Sequence, residues 1–444
     1  MPKPDFSFLI SRGLLPLMLF ACLIGGCQQS REALDPFGGS MSVQREASGF
    51  FRVEKVADRW FFITPAGHPY LALGANHTGK FLQDSSQSGA LLAQFDGSVS
   101  AAQQELHRLY RELGYNAGEA YAPHDPYLQQ HLPYIAHIAY PTRSHFERDV
   151  FNEAVRDSIY QSTLAQCRAL AEDSMIIGFA FKDLPIWDSR RINYYRQLPA
   201  PASGKQQYVS FLRQRYAADI DSLNTAYGWQ FSNFEEIALR EEWPDGNQYP
   251  PEDEAAFMAL IADTLYSVLS KAVRQGAPHH LFLGERYQLR SIPDPVLSVI
   301  GKYVDVFLTQ ALIRSPQRPP EWQVFQRDAY DHEYALTQKP MLIVDWASPF
   351  SLSETYENAS GTIKNEAEAS KDTQQWLEQA FELPYLVGGF KCQLIGTHPN
   401  DHRLDNDAKR TLLQDDGSYF DHMTPAMQQT HRQVLQNAYQ QLED

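Results

Sequence analysis

The sequence has little of what marks several common classes of protein. Only four of its 444 residues are cysteine, which excludes a disulfide framework in a chain of this length. Basic residues are also few, because 38 Lys and Arg stand against 54 Asp and Glu, for a formal net charge of −16. A nucleic-acid binder needs a basic face to replace counterions, so this charge argues against such a partner. The 43% of hydrophobic residues excludes a disordered chain.

Motifs that indicate a cofactor or a serine nucleophile are missing as well. There is no GxxxxGK(S/T) phosphate loop, no HExxH helix and no GxSxG turn. The turn after the first predicted core strand, at 75–79, is not the glycine-rich turn of a dinucleotide site. Near the C-terminus, five potential metal ligands miss the EF-hand spacing and favour a solvated loop that can reach substrate: His398, Asp401, His402, Asp405 and Asp407. We therefore expect no metal or organic cofactor.

The N-terminus has the pattern of an export signal. Lys3 and Arg12 precede an apolar run of about 11 residues at 14–24, shorter than the roughly 20 that a membrane-spanning helix needs. The run ends in Ile-Gly-Gly-Cys, which resembles the lipobox of bacterial lipoproteins and implies that Cys27 is lipidated. An ordinary signal peptide followed by a coincidental cysteine is the alternative.

This resemblance implies a protein of the bacterial cell envelope. Gln28, in the place of an Asp, favours the outer membrane, where the lipid alone would contact the bilayer. The remaining cysteines, Cys167 and Cys392, are expected to be buried free thiols. The predicted organisation is a signal peptide at 1–26, a lipidated tether at 27–48 and a folded domain at 49–444.

Short apolar runs alternate with amphipathic segments over most of the folded domain. The runs predict strands at 70–75, 116–121, 176–181, 280–287, 304–308, 341–346 and 386–395. The segments between them predict helices at 101–113, 151–172, 208–227, 255–275 and 373–383. This alternation is typical of βαβ units, and the missing nucleotide turn favours a (β/α)₈ TIM barrel over a doubly wound sheet. The acidic stretch 229–254 is expected to be a solvated loop insertion.

Four acidic residues stand at or near the predicted strand ends, where reacting groups lie in a (β/α)₈ barrel. They are Glu119, Asp183, Glu285 and Asp345. Paired carboxylates suit glycosidic cleavage, since one protonates the leaving oxygen and the other attacks the anomeric carbon or activates water. Taken singly, each of them is more typical of a helix cap or an internal ion pair, whereas several together in a barrel favour catalysis.

The chain is also rich in aromatics, with 7 Trp, 23 Tyr and 25 Phe. Sugar rings pack their C–H faces on flat aromatic side chains, and a pocket with aromatic walls and a few polar groups is the usual design for a small ligand. The candidates are Tyr121, Trp187, Tyr287 and Trp346 beside the carboxylates, and Trp229, Trp243 and Trp322 in loops. Core packing is the alternative for the Phe residues, and it accounts less well for the tryptophans in loops.

Several segments resemble β-agarases of glycoside hydrolase family 50. Residues 49–76 read GFFRVEKVADRWFFITPAGHPYLALGAN, similar to the hairpin and first barrel strand of that family. In the same order follow LGYN at 113–116, LGERY at 283–287, KYVDV at 302–306 and KPMLI at 339–343. LNTAYGW at 223–229 is similar to a helix of the family 42 β-galactosidases.

The resemblance implies a retaining glycosidase with its acid/base at the end of strand 4 and its nucleophile at the end of strand 7. These positions fall on Asp183 and Asp345, where the family has Glu. Lys182 stands where the family has Asn, and its charge would favour the ionised form of Asp183. Glu285 has no counterpart in the agarases, so it is a candidate for one of the two roles.

We therefore expect a lipid-anchored glycoside hydrolase that cleaves a β-linked poly- or oligosaccharide, with an agar-type galactan as the favoured substrate. The expected catalytic residues are Asp183 and Asp345, with Glu285 as the substitute. The expected sugar contacts are Asn76, His77, Glu119, Tyr121, Trp187, Arg286, Tyr287 and Trp346. The alternative is a surface glycan-binding lipoprotein that keeps the barrel and has lost turnover.

Overall fold

The computed structural model describes residues 33–120, 125–140, 148–183, 185–243, 249–311, 324–352, 356–358, 361–396 and 408–442. Cys27, Tyr121 and Trp322 lie outside the described residues, as do the five potential metal ligands of the C-terminal loop.

The described chain alternates strands and helices along most of its length. The strands are β1 (Arg52–Val56), β2 (Arg59–Ile63), β3 (Pro69–Tyr70), β4 (Ala72–Ala75), β5 (Tyr134–His137), β6 (Ile176–Asp183), β7 (Leu281–Gln288), β8 (Phe307–Gln310), β9 (Met341–Trp346), β10 (Phe350–Ser351), β11 (Tyr356–Asn358), β12 (Gly361–Ile363), β13 (Leu386–Lys391) and β14 (Ala408–Lys409). The helices are α1 (Thr78–Gln83), α2 (Ser85–Ala93), α3 (Val99–Glu112), α4 (Pro126–His131), α5 (Glu153–Ala169), α6 (Ser189–Gln197), α7 (Ser203–Arg215), α8 (Ile220–Tyr227), α9 (Phe234–Leu239), α10 (Pro251–Gly276), α11 (Asp294–Tyr303), α12 (Arg327–Thr337), α13 (Glu366–Phe381) and α14 (Met423–Gln440).

The central feature is a seven-stranded parallel sheet in the order β4-β13-β9-β8-β7-β6-β5. Of the strands in this sheet, β4 comes first along the chain and β13 comes last, and the two are thus neighbours. The predicted strand at 116–121 is not regular in its described part. Its backbone nevertheless bonds to both edges of the sheet, since Ala117 N donates to Leu73 O (2.8 Å) and Ile135 N donates to Glu119 O (3.2 Å). The predicted α/β class is therefore confirmed as a parallel sheet with helices, and the sheet has seven of the eight predicted strands among the described residues.

The strands are buried on both faces, as expected of a parallel sheet covered by helices. An inner face carries Ala72, Ile135, Leu283, Leu308 and Val344, which form one cluster with residues of the other strands and of the N-terminal unit. An outer face carries residues such as Phe179, Phe282 and Ile343, which belong to one cluster with the apolar sides of the helices. Because both layers are apolar, polar side chains on the inner face concentrate at the carboxyl ends of the strands.

The predicted N-terminal hairpin is confirmed. β1 and β2 pair antiparallel with Arg52 opposite Ile63, and β3 adds a third strand. Phe51, Phe62 and Tyr70 of this unit pack into the inner cluster. Trp60 N donates to Pro384 O (2.7 Å), just before β13 begins, so the hairpin covers the amino-terminal end of the parallel sheet.

The predicted tether is shorter than expected, because residues from Ala33 onward pack on the hairpin. The Asp35 carboxylate accepts the backbone N–H groups of Phe37 and Gly39 and the hydroxyl of Thr64, and it pairs with the His68 ring (2.9 Å). A local turn and two distant partners thus order a segment whose composition alone resembles a linker.

Two other expectations differ from the structure for local backbone reasons. The helix predicted at 208–227 is two helices, α7 and α8, because Ala217 and Ala218 adopt positive φ (50° and 62°) and Asp219 caps α8. The stretch 229–254 is not all loop, since it contains α9 and the start of α10. In addition, β5 was not predicted.

Helix α10 is the one described helix long and apolar enough to cross a membrane by length and composition. Half of its most apolar 18-residue window is buried, and its buried residues belong to the outer cluster with Phe282 and Phe307. It therefore serves as a core helix of this fold.

Candidate active site

Asp183 and Asp345, predicted as the catalytic pair, share two polar partners at the carboxyl ends of their strands. Arg286 on β7 donates to Asp345 Oδ2 (2.9 Å) and lies 3.5 Å from Asp183 Oδ2. The side-chain amide of Gln310 on β8 donates to Asp183 Oδ1 and to Asp345 Oδ2 (3.2 Å). Because one nitrogen contacts both carboxylates, their nearest oxygens are separated by at most two hydrogen-bond lengths, on the order of 6 Å.

The two carboxylates differ in exposure. The side chain of Asp183 is 33% exposed and that of Asp345 is 12% exposed, whereas Arg286 is fully buried. A small polar ligand can therefore reach both carboxylates, while the guanidinium forms the floor beneath them. The buried guanidinium therefore offsets the negative charge of both carboxylates.

Irregular backbone directs these side chains to the inner face. Leu281 and Leu283 of β7 face inward, so strict alternation would place Glu285 inward next. Gly284 instead adopts a left-handed φ of +74°, and the β6–β7 pairing resumes with Asp183 opposite Arg286 after a register shift. A bulge of this kind turns the next residue to the face opposite to the one that strict alternation predicts. Asp345 likewise has a positive φ (54°), uncommon for a residue other than glycine.

Asn76, a predicted sugar contact, belongs to this network. Its amide nitrogen donates to Asp345 Oδ1 (2.6 Å), and its side-chain oxygen accepts from Ala120 N (2.8 Å). Its backbone N–H donates to Lys391 O (2.9 Å) on the neighbouring strand. Asn76 therefore orients one oxygen of Asp345, while Arg286 and Gln310 hold the other.

Glu119, also a predicted sugar contact, is fully buried and bonded to backbone. It accepts N–H groups from Thr78 (2.5 Å), Gly79 (3.2 Å) and Asp125 (2.6 Å). Burial raises the pKa of Glu119 to about 8, against the opposing effect of these N–H donors. The structure thus gives Glu119 the role of fixing the turn that follows Asn76 and His77.

His77, His137 and Cys392 complete the surroundings of Arg286 and Asp345. Burial, followed by the charge of Arg286, lowers the pKa of both His77 and His137 to about 4. Both imidazoles are therefore neutral near pH 7. Cys392 is buried, and its sulfur lies within 4.8 Å of donor atoms of His77 and Asp345.

Three of these residues were missed at the sequence level. Gln310, His137 and Cys392 each end or follow a strand of the parallel sheet. Position at a strand end was the available signal, but none of the three residues stands in a recognisable motif.

Glu285 faces the outer side of the sheet, where it joins buried tyrosines. Its carboxylate accepts the hydroxyls of Tyr266 (2.6 Å) and Tyr140 (3.2 Å). Burial lowers the pKa of the neighbouring Arg191 guanidinium, and the charge of Glu285 opposes that effect. Glu285 is thus a counter-charge within the core, on the face opposite to Arg286.

Three aromatic residues predicted to contact sugar are buried by protein instead. Trp187 packs beneath the Arg191 guanidinium (4.0 Å from its centre to the ring) and near Tyr266. Tyr287 stacks on Phe307, with ring centres 5.0 Å apart. Trp346 is 3% exposed and packs near Trp376 of α13. Their ring faces contribute to the core, because the apolar runs that carry them are buried on both faces.

The two predicted free thiols, Cys167 and Cys392, are confirmed as buried and unbridged. Trp229 and Trp243 contact one another with ring centres 5.0 Å apart and remain partly exposed.

The fold is similar to that of several solved glycosidases. The structure of PfGH50B matches with a TM-score of 0.74 and 15% identity, over 91% of this chain and 69% of that chain. The agarase AgWH50C matches with a TM-score of 0.73 and 16% identity, over 91% and 68%. An exo-β-agarase gives 0.73 and 16%, over 90% and 68%.

No known family profile matches the sequence, and neither does any curated protein. The likeness is therefore one of structure, spread over nine-tenths of the chain. The predicted resemblance to family 50 glycosidases is confirmed for the fold, and this chain has the architecture of those enzymes.

Proposed function

We propose that this protein is a glycoside hydrolase in which Asp183 and Asp345 form the catalytic pair. The observation that carries the proposal is their convergence, since both bind the same Gln310 amide and the same buried Arg286. Two carboxylates separated by a few ångströms at the mouth of such a fold suit glycosidic cleavage. The similarity to solved agarases supports the same reaction class.

Asp345 is the proposed nucleophile. Its two oxygens accept three hydrogen bonds, from Asn76, Arg286 and Gln310, which fix their orientation for attack on an anomeric carbon. Asp183 is the proposed acid/base because its side chain is more exposed and can exchange a proton with the leaving group and with water. The upper bound on the separation of the nearest oxygens, on the order of 6 Å, includes the retaining spacing of about 5–5.5 Å.

The proposed substrate is a β-linked galactan of the agar type, since two of the similar structures are described as agarases. Sugar hydroxyls need fixed polar partners, and Asn76 and His77 at the end of β4 provide them beside Asp345. We also propose that the segment 116–120 closes the parallel sheet into an eight-stranded barrel, because its backbone bonds to both β4 and the start of β5.

Hydrolysis of agarose and of β-linked galacto- and gluco-oligosaccharides tests this function, with reducing ends as the measurement. The wild type should release product, whereas Asp345→Asn and Asp183→Asn should each lose roughly a thousandfold in rate or more. Asp58→Asn, in the exposed turn between β1 and β2, is the matched control. Full activity in both site variants would remove the assignment.

A second function has an observation in its favour. Arg286 lies within 3.5 Å of both carboxylates, so one buried cation engages the oxygens that a glycosidase uses for proton transfer and attack. This arrangement suits a glycan-binding protein without turnover. Retention of the wild type in agarose affinity gels, without release of reducing ends, would establish that function in place of hydrolysis.

The proposed location is the outer membrane, through a lipid on Cys27. Radiolabelled palmitate should label the wild type and leave Cys27→Ala unlabelled when each is expressed in a Gram-negative host. Labelling of both chains would contradict this proposal.

A further inference from the structure

Three side chains of the kinds that bind metal ions lie together at the proposed nucleophile. A nitrogen of His77, an oxygen of Asp345 and the sulfur of Cys392 all lie within 4.8 Å of one another. His77 and Cys392 are buried, and the side chain of Asp345 is 12% exposed. They come from the carboxyl ends of β4, β9 and β13, which are neighbours in the order β4-β13-β9.

Hydrogen bonds between neighbouring strands hold the backbone around these three donors. Cys392 N donates to Trp346 O (2.8 Å), and Asn76 N donates to Lys391 O (2.9 Å). Each donor residue therefore lies next to, or takes part in, a hydrogen bond to the adjacent strand. Sites on strands hold their side chains more firmly than sites on mobile loops, so the cluster is a persistent feature of the fold.

Imidazole nitrogen, carboxylate oxygen and thiolate sulfur together match the preferences of Zn²⁺ and of its softer analogue Cd²⁺, and they do not suit Mg²⁺ or Ca²⁺. Bond lengths of about 2.0–2.3 Å to a tetrahedral ion place its donors roughly 3.3–3.8 Å apart. The donor atoms are already within 4.8 Å of one another, so side-chain rotations that move them by about 1 Å give that spacing. We propose that His77, Asp345 and Cys392 form a binding site for a zinc-class cation.

A cation at this site would regulate the proposed reaction. It would coordinate an oxygen of Asp345, and a coordinated carboxylate no longer attacks an anomeric carbon. The neighbouring charge of Arg286 limits the affinity, which favours a reversible inhibitor over a permanent structural ion. This regulatory part rests on the proposed glycosidase function, whereas binding of the cation does not.

Titration of the full chain with Cd²⁺ tests binding directly, because thiolate coordination produces a charge-transfer band in the ultraviolet. In Cys392→Ser, the intensity of that band should fall by the contribution of one thiolate. Cys167→Ser is the matched control, since Cys167 is the other described thiol and is also buried. An undiminished band in Cys392→Ser would overturn the proposal.

Calorimetric titration with Zn²⁺ extends the test to the other donors. Asp345→Asn and His77→Gln should each weaken binding by about tenfold or more, with circular dichroism confirming that each variant folds. Unchanged affinity in both variants would also overturn the site. If the wild type binds zinc but hydrolyses nothing when metal is absent, the cation site stands and the glycosidase function is removed. If it hydrolyses substrate but does not bind zinc, the glycosidase function stands and the cation site is removed.

Discussion

Arg286 reaches Asp345 because Gly284, two residues before it, has a left-handed backbone. The φ of +74° at Gly284 interrupts the alternation of β7, so Glu285 faces the outer side and Arg286 the inner side. The whole arrangement of charged groups at the candidate site depends on this one backbone conformation.

Gly284→Ala should therefore reduce both stability and function. A Cβ atom at this position would lie 2.9 Å from Cγ1 of Val304, and the left-handed conformation alone costs about 1–2 kcal/mol in a residue with a side chain. We expect a lower denaturation midpoint and a loss of hydrolysis that exceeds the loss of folded protein. Chemical denaturation, together with rates per folded molecule, measures the two effects separately.

Gly89→Ala is the matched control for that substitution. Gly89 lies within α2, and an added Cβ would meet nothing within 4 Å. The change should leave hydrolysis intact and raise stability by up to about 1 kcal/mol. Equal effects at both glycines would refute the importance of the Gly284 conformation.

The sequence was sufficient for the parts of the site that follow from strand position. Asp183 and Asp345 each end a continuous apolar run, and parallel strands bring such ends to one edge. The side to which a residue faces could not be predicted around Gly284, because a bulge reverses alternation without any change in composition. Glu285 was therefore favoured over its neighbour Arg286 as a direct participant.

Other parts of the site lacked a sequence signal for different reasons. Gln310 and His137 are single polar residues at strand ends, where nothing distinguishes them from exposed polar residues until the neighbouring strands are known. The role of Glu119 depends on backbone N–H groups of a turn about 40 residues away in the chain. Asp35 similarly orders its segment through Thr64 and His68.

Glu285→Gln should destabilise the protein without removing the catalytic pair. The substitution removes the negative charge that opposes the lowering of the Arg191 pKa by burial, and a buried guanidinium without a nearby counter-charge is destabilising, so we expect a loss of stability. Chemical denaturation should show this loss, while the rate per folded molecule falls far less than in Asp345→Asn. A variant as inactive as Asp345→Asn but of normal stability would instead make Glu285 a catalytic residue.

Glu119→Gln should remove part of the loss of stability between about pH 4.5 and 8. Burial raises the folded pKa of Glu119 to about 8 from its ordinary value of 4.5, so the native state retains a proton that the unfolded chain releases. The stabilisation from this proton is fully present below pH 4.5 and is lost as the pH rises toward 8. Stability measured across that range should slope downward less in Glu119→Gln than in the wild type. Identical slopes would show that Glu119 does not titrate in this range.

His137→Gln should act in the opposite direction, on the acid side. Burial and the charge of Arg286 lower the folded pKa of His137 to about 4 from 6.5, so the unfolded chain binds a proton that the native state does not. The stabilisation from the neutral ring is present above pH 6.5 and is lost as the pH falls through 4. Urea denaturation between pH 4 and 7 should therefore show a smaller acid loss in His137→Gln than in the wild type. The exposed His422, which starts α14 without a capping hydrogen bond, provides the control His422→Gln. A reduced acid loss in both variants would indicate a general effect of charge and would contradict a specific role for His137 beside Arg286.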